Sequence, residues 1–278
     1  MQTHVIFVHA LSPIHAGTGQ SVDVIDLPIA REKATNLPYI PGSSIKGVIR
    51  DVSPASESLK KQLFGDVEQA GDAIFADQRL LLLPIRSLYG TFAWVTSPYV
   101  LSRFAREAQT SNLWLPEIKR SELALISQNS VLSYQQKVYL EDLDLEATPG
   151  ADAWAGWLAK QLFPDKPDWQ TILQERLCIV PDEIFNFLVT TATEITARIR
   201  LDDNTKVVTK GGLWYEEALP AETILAGIVA INDQKRSANR DQVITAIIEV
   251  ANQGIIQLGG NATVGCGLCQ LTIAQGDR

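Results

Sequence analysis

The residues best suited to chemistry lie in YIPGSSIKGVIRD, the stretch from 39 to 51. A Pro-Gly turn precedes two serines, and serine caps helices by accepting free backbone N–H groups. Apolar residues then recur at helical spacing, with two cations four residues apart on one face. A helix start favours negative charge, because its N–H groups are free and its dipole is positive there. The stretch therefore predicts a phosphate-binding helix start, with an ordinary capped surface helix as the alternative. The candidate contacts are Gly42, Ser43, Ser44, Lys46, Gly47 and Arg50.

Two glycine-bearing loops could also approach a phosphate backbone, because glycine permits close contact. One is HAGTGQS at 15–21, and the other lies in GGNATVGCGL at 259–268. Turns between strands would use the same glycines, so neither loop is specific by itself. The candidates are His15, Gly17, Gly19, Gly259, Gly260 and Asn261.

A β-hairpin with cations on its arms is predicted over 194–217. Alternating residues precede the polar turn Asp202-Asp203-Asn204, and a second extended arm follows it. Its arms carry four cations that are candidate binding residues: Arg198, Arg200, Lys206 and Lys210.

Several enzyme classes lack their signature in this chain. There is no GxxxxGK[ST] phosphate loop, no HExxH metal motif and no GxSxG elbow. Two of the three histidines, His4 and His9, fall in or beside the first predicted strand and are expected to be structural. The CxxC spacing at 266–269 lies in a predicted strand pair instead of at a helix start, which disfavours redox or zinc chemistry.

The chain has 278 residues, and its amino-acid composition is that of a globular protein. Its formal net charge is −8. The charge is unevenly distributed: residues 31–61 carry +3 net, whereas residues 141–183 carry −7. Because binding depends on local potential, a basic face for nucleic acid can coexist with an acidic one. Three cysteines fit a reducing cytoplasm, and no apolar run is long enough for a bilayer. We expect a cytoplasmic protein without a membrane partner.

The order of elements predicts an α+β fold with a ferredoxin-like unit. Strand, helix, two strands and helix follow one another at 4–14, 43–64, 73–85, 88–97 and 98–109. The acidic, tryptophan-bearing stretch 110–185 is predicted to be a mostly helical insertion. A strand, a helix and two further strands are predicted at 222–231, 241–254 and 255–274.

Three stretches together resemble the RAMP superfamily of CRISPR-associated proteins. They are HALSPIHAGTGQSVDVIDLPIARE, LPYIPGSSIKGVIRD and QLGGNATVGCGL, with support from LWYEEALP at 213–220. The closer resemblance is to the repeated backbone subunit of type III-B (Cmr) effector complexes. It implies a single domain over 1–278, with an RRM-like palm, the helical insertion and a protruding thumb at 194–217. It also implies partners: guide RNA, target RNA, further copies of the chain and other CRISPR effector subunits.

The resemblance implies an endoribonuclease that cuts target RNA at regular intervals. Asp26 of VIDLPI matches the family's catalytic aspartate, and a divalent cation, Mg²⁺ or Mn²⁺, is the expected cofactor, with unknown ligands. Asp23 is the nearest competitor, and His15 could act as a general base or an RNA contact. Cys266 departs from the lysine common in the family's last loop. Two alternatives stay open: a guide-binding scaffold without cutting activity, and a guide-processing endonuclease that uses His15.

Overall fold

A 13-stranded sheet is the framework of the computed structural model, which describes residues 2–17, 25–110, 113–118, 120–231 and 240–274. The strands of this sheet are β1 (Gln2–Ala10), β2 (Tyr39–Ile40), β3 (Ala73–Phe75), β4 (Gln78–Arg86), β5 (Phe92–Thr96), β6 (Leu123–Ile126), β7 (Ser133–Tyr134), β8 (Lys137–Leu140), β9 (Leu143–Pro149), β10 (Leu177–Ile179), β13 (Ile224–Ile231), β14 (Ile255–Gln257) and β15 (Leu268–Ile273). A separate pair of strands is β11 (Glu194–Leu201) and β12 (Val208–Ala218). The helices are α1 (Gly42–Val52), α2 (Glu57–Phe64), α3 (Pro98–Ala108), α4 (Asp152–Leu162), α5 (Pro167–Arg176), α6 (Asp182–Thr191) and α7 (Arg240–Asn252).

The ferredoxin-like palm is confirmed. Four neighbouring strands run in the order β15-β1-β13-β4, and all three pairings are antiparallel. The helices α1 and α2 connect β1 to β4, and α7 connects β13 to β15. The second helix of the unit is therefore α7, whereas the sequence suggested the helix at 98–109. That helix, α3, connects β5 to the inserted segment instead.

Both faces of the palm sheet are buried. The four consecutive residues of β1 from Val5 to Val8 are at most 9% exposed. Phe7 packs against Phe104 of α3 with ring centroids 5.8 Å apart. Because side chains alternate along a strand, Ile6 and Val8 face the opposite side. This explains why the first strand is apolar without alternation.

The segment 110–185 is not mostly helical, so that prediction is corrected. It holds α4, α5 and the start of α6, but also β6 to β10. These strands extend the palm sheet, because β10 pairs in parallel with β5, and β6 pairs with both β10 and β9. These pairings join segments that are far apart in the chain. A pattern within a few neighbouring residues therefore cannot reveal them.

The helix predicted over 43–64 is two helices. Pro54 lies between α1 and α2, where its ring and missing N–H interrupt helical hydrogen bonding. Ser56 caps the second helix, its Oγ accepting the N–H of Leu59 at 3.4 Å. None of the helices in the described ranges is long and apolar enough to cross a membrane.

The hairpin of β11 and β12 lies at residues 194–218 and does not join the main sheet. Most of its residues are exposed. Near the tip the pairing shifts between Ile199 and Leu201, so the outer part of the hairpin is irregular. The hairpin is therefore held mainly through contacts at its base.

Candidate functional site

A cavity of about 270 Å³ collects three of the regions singled out from the sequence. The loop after β1, the start of α1 and the glycine loop before β15 all border it. Its lining residues are His15, Ala16, Gly17, Leu27, Pro28, Ile40, Pro41, Ser44, Gly259 and Gly260. Five predicted contacts, His15, Gly17, Ser44, Gly259 and Gly260, therefore share one concave site. Gly19 and Asp23 lie outside the described residues.

Asp26 is exposed beside this cavity and is held by the base of the hairpin. Its Oδ2 accepts the backbone N–H of Tyr215 at 2.8 Å. The next residue, Leu27, donates its N–H to the carbonyl of Tyr215 and accepts the N–H of Glu217, at 3.1 and 3.0 Å. The segment that follows Asp26 is thus joined to β12 by a single parallel β-bridge, which fixes the backbone that carries the carboxylate.

His15 is held by the same edge of β12. Its Nδ1 lies 2.7 Å from the carbonyl oxygen of Glu217. Since a carbonyl oxygen can only accept, Nδ1 carries the proton, and Nε2 of the neutral ring is an acceptor. Nε2 lies beside Gly17, where a Cβ would come within 2.6 Å of it. In the neutral form of His15, Nε2 is therefore the ring nitrogen that can accept a hydrogen bond or a proton in this part of the site.

The geometry of β12 sets the spacing between Asp26 and His15. Asp26 is anchored on Tyr215 and His15 on Glu217, two residues further along the strand. Residues two apart present their backbone groups at the same edge, about 7 Å from one another. This edge brings a carboxylate and an imidazole to neighbouring positions at the border of one cavity.

Glu217 is a site residue that the sequence interpretation missed. Its side chain is buried, at 4% exposure. One carboxylate oxygen accepts the N–H of Ile29 at 3.1 Å, and the other pairs with Arg31 at 2.6 Å. Arg31 also donates to the carbonyls of Asn36 and Val189. Glu217 therefore ties the segment that follows Asp26 to the hairpin base.

Glu216 was also missed, and it connects the hairpin to the last glycine loop. Its carboxylate accepts from Trp214 Nε1 at 2.8 Å, Arg198 Nε at 3.0 Å and Asn261 Nδ2 at 2.8 Å. Burial acts to raise the pKa of Glu216, but the hydrogen bonds from Trp214 and Arg198, with the charges of Arg198 and His15, hold the pKa below its usual range. The signal in the sequence was the pair of adjacent acids, Glu216 and Glu217, in LWYEEALP.

The glycines at 259 and 260 allow the last loop to contact the backbone of His15. Gly259 has a φ of +85°, and a Cβ there would lie 2.4 Å from the carbonyl oxygen of His15. Gly260 donates its N–H to the same oxygen at 2.9 Å. This loop therefore positions His15, a use for its glycines that differs from direct contact with phosphate.

The start of α1 differs from the expected serine cap. The N-cap is Pro41, and no side-chain cap hydrogen bond is made from it. Instead, Asp77 from the β3–β4 turn accepts the N–H of Gly42 at 2.8 Å. The carboxylate of Asp77 therefore already occupies one of the free N–H groups at the helix start. Ser43 and Ser44 stay exposed. Gly42 itself is buried, with Phe75 O 2.3 Å from where a Cβ would stand.

The basic residues of α1 share one side of the helix. Ser43, Lys46, Gly47 and Arg50 follow the spacing of a single helical face. None of them is buried, and a Cβ at Gly47 would meet no atom within 4 Å. This open, basic face is suited to sugar-phosphate contacts, and it lies on the helix whose first turn borders the cavity.

The four cations of the hairpin fall into two groups. Arg198 is half-buried and paired with Glu216, so its charge is used at the hairpin base. Arg200, Lys206 and Lys210 are exposed on the outer half. Only these three present their charges on the surface of the arms and tip.

No preformed metal cluster is present among the described residues. No group of three or more His, Cys, Asp or Glu side chains converges there. Burial raises the pKa of the Cys269 thiol to about 12, so the thiolate is disfavoured. His9 is structural, as expected: its Nε2 lies 2.7 Å from Glu222, and Phe163 and Trp169 pack on its ring.

Comparison with known proteins places these features in a family. Residues 7–270 match the RAMP superfamily. The CRISPR system Cmr endoribonuclease Cmr4 of Pyrococcus furiosus is 32% identical over 292 residues, which cover 99% of this chain and 97% of the relative. The crystal structure of oligomeric Cmr4 from Pyrococcus furiosus superposes with a TM-score of 0.81 at 27% identity, covering all of both chains. A chain of the type III-B Cmr-beta complex bound to cognate target RNA shares the fold, with a TM-score of 0.76 at 22% identity over 98% of this chain and 97% of that one.

Proposed function

Since this chain belongs to the RAMP superfamily, and its 32% identical relative is a Cmr endoribonuclease, we propose that it is the repeated backbone subunit of a type III-B CRISPR effector complex. In this role it holds guide RNA in the cytoplasm and cuts the complementary target RNA. Further copies of the chain and other effector subunits are its protein partners. The likeness to an oligomeric relative over the full chain supports the repeated arrangement.

One observation carries the proposal for cutting: Asp26 and His15 are anchored on the same edge of β12, beside one cavity. Asp26 is exposed, and its Oδ2 accepts the Tyr215 N–H, which leaves the other carboxylate oxygen open to solvent or a ligand. An anionic side chain near an RNA backbone is unfavourable unless a cation or a proton transfer uses it. Its position therefore supports a catalytic role.

RNA is held by its backbone in this proposal. The open face of Ser43, Lys46, Gly47 and Arg50 offers hydroxyls, cations and free space to phosphates. Such contacts carry no base information, so any guide sequence is accepted and base pairing supplies the specificity. The exposed hairpin displaces a target nucleotide from the duplex, with Arg200, Lys206 and Lys210 in contact with the backbone.

The reaction is attack of a 2′-OH on the adjacent phosphate. A displaced nucleotide leaves A-form geometry, so its 2′-oxygen can line up with the scissile bond, and positioning supplies much of the rate. His15 Nε2 accepts the 2′-OH proton, because Nδ1–H is held on the carbonyl of Glu217. The bond between phosphorus and the 5′-oxygen of the next nucleotide then breaks, and that oxygen takes a proton from water or from the His15 imidazolium to become the 5′-hydroxyl. The products carry a 2′,3′-cyclic phosphate, or a 3′-phosphate after hydrolysis, and a 5′-hydroxyl.

The residues present fit a divalent cation held jointly with the substrate. Mg²⁺ is often bound by one or two carboxylates together with substrate phosphates. Asp26 is the described residue that would hold it, through the carboxylate oxygen not bonded to Tyr215, whereas the Glu216 carboxylate is already engaged by three donors. When bound, such a cation stabilises negative charge on the phosphate. Mg²⁺ or Mn²⁺ is the expected ion.

The decisive experiment uses the reconstituted complex with guide RNA and a labelled target. Asp26→Asn keeps an oxygen that can accept the Tyr215 N–H, so we expect normal assembly, guide binding and target binding. Target cutting should fall at least 100-fold, about 2.7 kcal/mol of transition-state stabilisation. Asp142→Asn, an exposed acid outside the cavity, makes the same charge change and should cut normally.

Three outcomes separate the alternatives. Normal cutting by an assembled Asp26→Asn complex removes the aspartate from the mechanism and supports a scaffold role or a different residue. Loss of cutting in His15→Ala with Asp26→Asn unaffected would favour the histidine-based alternative. A chelator that leaves cutting unchanged would overturn the proposed cation while leaving the role of Asp26 intact.

A further inference from the structure

A second concave site lies between the 127–130 turn and the helices α4 and α5. It is a polar cleft of about 110 Å³ and shares no residue with the cavity at His15. Every polar residue that lines it carries a side-chain oxygen: Ser127, Asn129, Asp152, Thr171, Gln174 and Glu175. Such a set is typical of a site for a hard cation and contains no histidine or cysteine.

Ser127 supplies the independent sign that this cleft takes a ligand. The residue is only 6% exposed, and its Oγ is buried with no hydrogen-bond partner among the described residues. A buried hydroxyl without a partner is unfavourable, and such groups in native proteins usually contact water or an ion. Because Ser127 lines the cleft, a bound species there would satisfy it.

Two carboxylate side chains, those of Asp152 and Glu175, line this cleft. Asp152 begins α4, and its Oδ1 accepts the N–H of Gln128 at 3.0 Å. Glu175 comes from the last turn of α5, and its nearest cation is Arg176, at 3.6 Å and without a close hydrogen bond. The surrounding segment 141–183 carries ten acids against three Lys or Arg, a net charge of −7. Local potential therefore favours a cation in the cleft.

We propose that this cleft is a divalent cation site, with Ca²⁺ as the best-fitting ion. Ca²⁺ takes six to eight oxygen ligands in flexible geometry, which suits a mixture of carboxylate, hydroxyl and amide oxygens. A cleft of about 110 Å³ is large enough for an ion together with several waters. Two protein carboxylates then suffice, because water and neutral oxygens complete the coordination. The ion links the 127–130 turn to α4 and α5.

The test is calorimetric titration of CaCl₂ into the full chain after metal removal. All proteins carry Asp26→Asn, so the proposed catalytic carboxylate does not contribute, and a failure here is independent of the proposed cutting activity. The site variants are Ser127→Ala, Asp152→Asn and Glu175→Gln. Asp142→Asn, exposed in the same acidic segment but outside the cleft, is the charge-matched control.

We expect one saturable Ca²⁺ site per chain. Asp152→Asn and Glu175→Gln should each raise the Kd at least tenfold, and Ser127→Ala several-fold, while the control leaves the Kd unchanged. Ser127→Ala should be at least as stable as its parent without Ca²⁺, because it removes a hydroxyl that has no protein partner. A chain without saturable Ca²⁺ binding overturns the proposal, and so does binding that all three variants leave unchanged.

Discussion

Gly259 lies directly against the backbone of His15, and Gly259→Ala tests what this contact does. A Cβ at this position would stand 2.4 Å from the carbonyl oxygen of His15, and the φ of Gly259 is +85°. Gly265 provides a matched control in the same loop. Its φ is +83°, but a Cβ there would meet no atom within 4 Å.

Both substitutions place an alanine in the left-handed backbone conformation, but only the one at Gly259 brings a Cβ into contact with another atom. The left-handed conformation costs an alanine about 1–2 kcal/mol, partly offset by about 0.4–1 kcal/mol from a stiffer unfolded chain. At Gly259 the His15 carbonyl must also move by more than half an ångström, which weakens its 2.9 Å hydrogen bond from Gly260, worth about 1 kcal/mol. We expect Gly259→Ala to lose about 2 kcal/mol of folding stability and Gly265→Ala about 1 kcal/mol.

Denaturant unfolding measures these losses, and the assembled complex measures cutting. Displacing the His15 backbone also disturbs its Nδ1 contact with Glu217, so Gly259→Ala should cut the target at least tenfold more slowly than Gly265→Ala. Equal stability and equal cutting in the two variants would refute the role of this loop in positioning His15.

Three further predictions follow from the basic helix, the hairpin and the buried acid. Lys46→Ala and Arg50→Ala should weaken guide binding and each flatten the log–log salt dependence by about 0.7, whereas Lys160→Ala, exposed on α4, should change neither. Amide exchange in the free chain should be fast over 198–210, where few side chains are buried, and should slow on assembly. Glu216→Gln should be destabilising at neutral pH, measured by unfolding. Since the pKa of Glu216 is held low in the folded chain, its contribution is present above about pH 4.3 and lost as pH falls further, so the difference from wild type should shrink in acid.

Each of these has a result that would contradict it. Unchanged RNA affinity and salt slope in both α1 variants would make their helix face purely structural. Strong protection of 198–210 in the isolated chain would oppose a hairpin ordered by assembly. A stability difference between wild type and Glu216→Gln that is constant from pH 7 to pH 3 would mean that the carboxylate charge is not what holds the hairpin base.

Local patterns in the sequence were sufficient for individual strands and helices, although they assigned α3 instead of α7 to the palm. The apolar run of β1 and the Pro98 start of α3 are encoded within about ten residues each. The periodicity of apolar residues indicates which face of a helix or strand is buried, and it can be read from residues that are close in the chain. The strands of 110–185 were missed for the opposite reason: they are short, and their partners, such as β5 for β10, are remote.

The functional site also has features that the sequence indicated and features that only the folded chain shows. Residue types alone indicated the glycine loops, the basic face of α1 and, through the family resemblance, Asp26. The sequence could not show that Asp77 caps α1, that Glu216 engages Arg198, or that Glu217 holds both His15 and Arg31. These contacts join residues 18 to more than 200 positions apart. Only the folded chain brings them within hydrogen-bond distance, because the positions of Asp26 and His15 are set by the edge of β12 and not by their own neighbours.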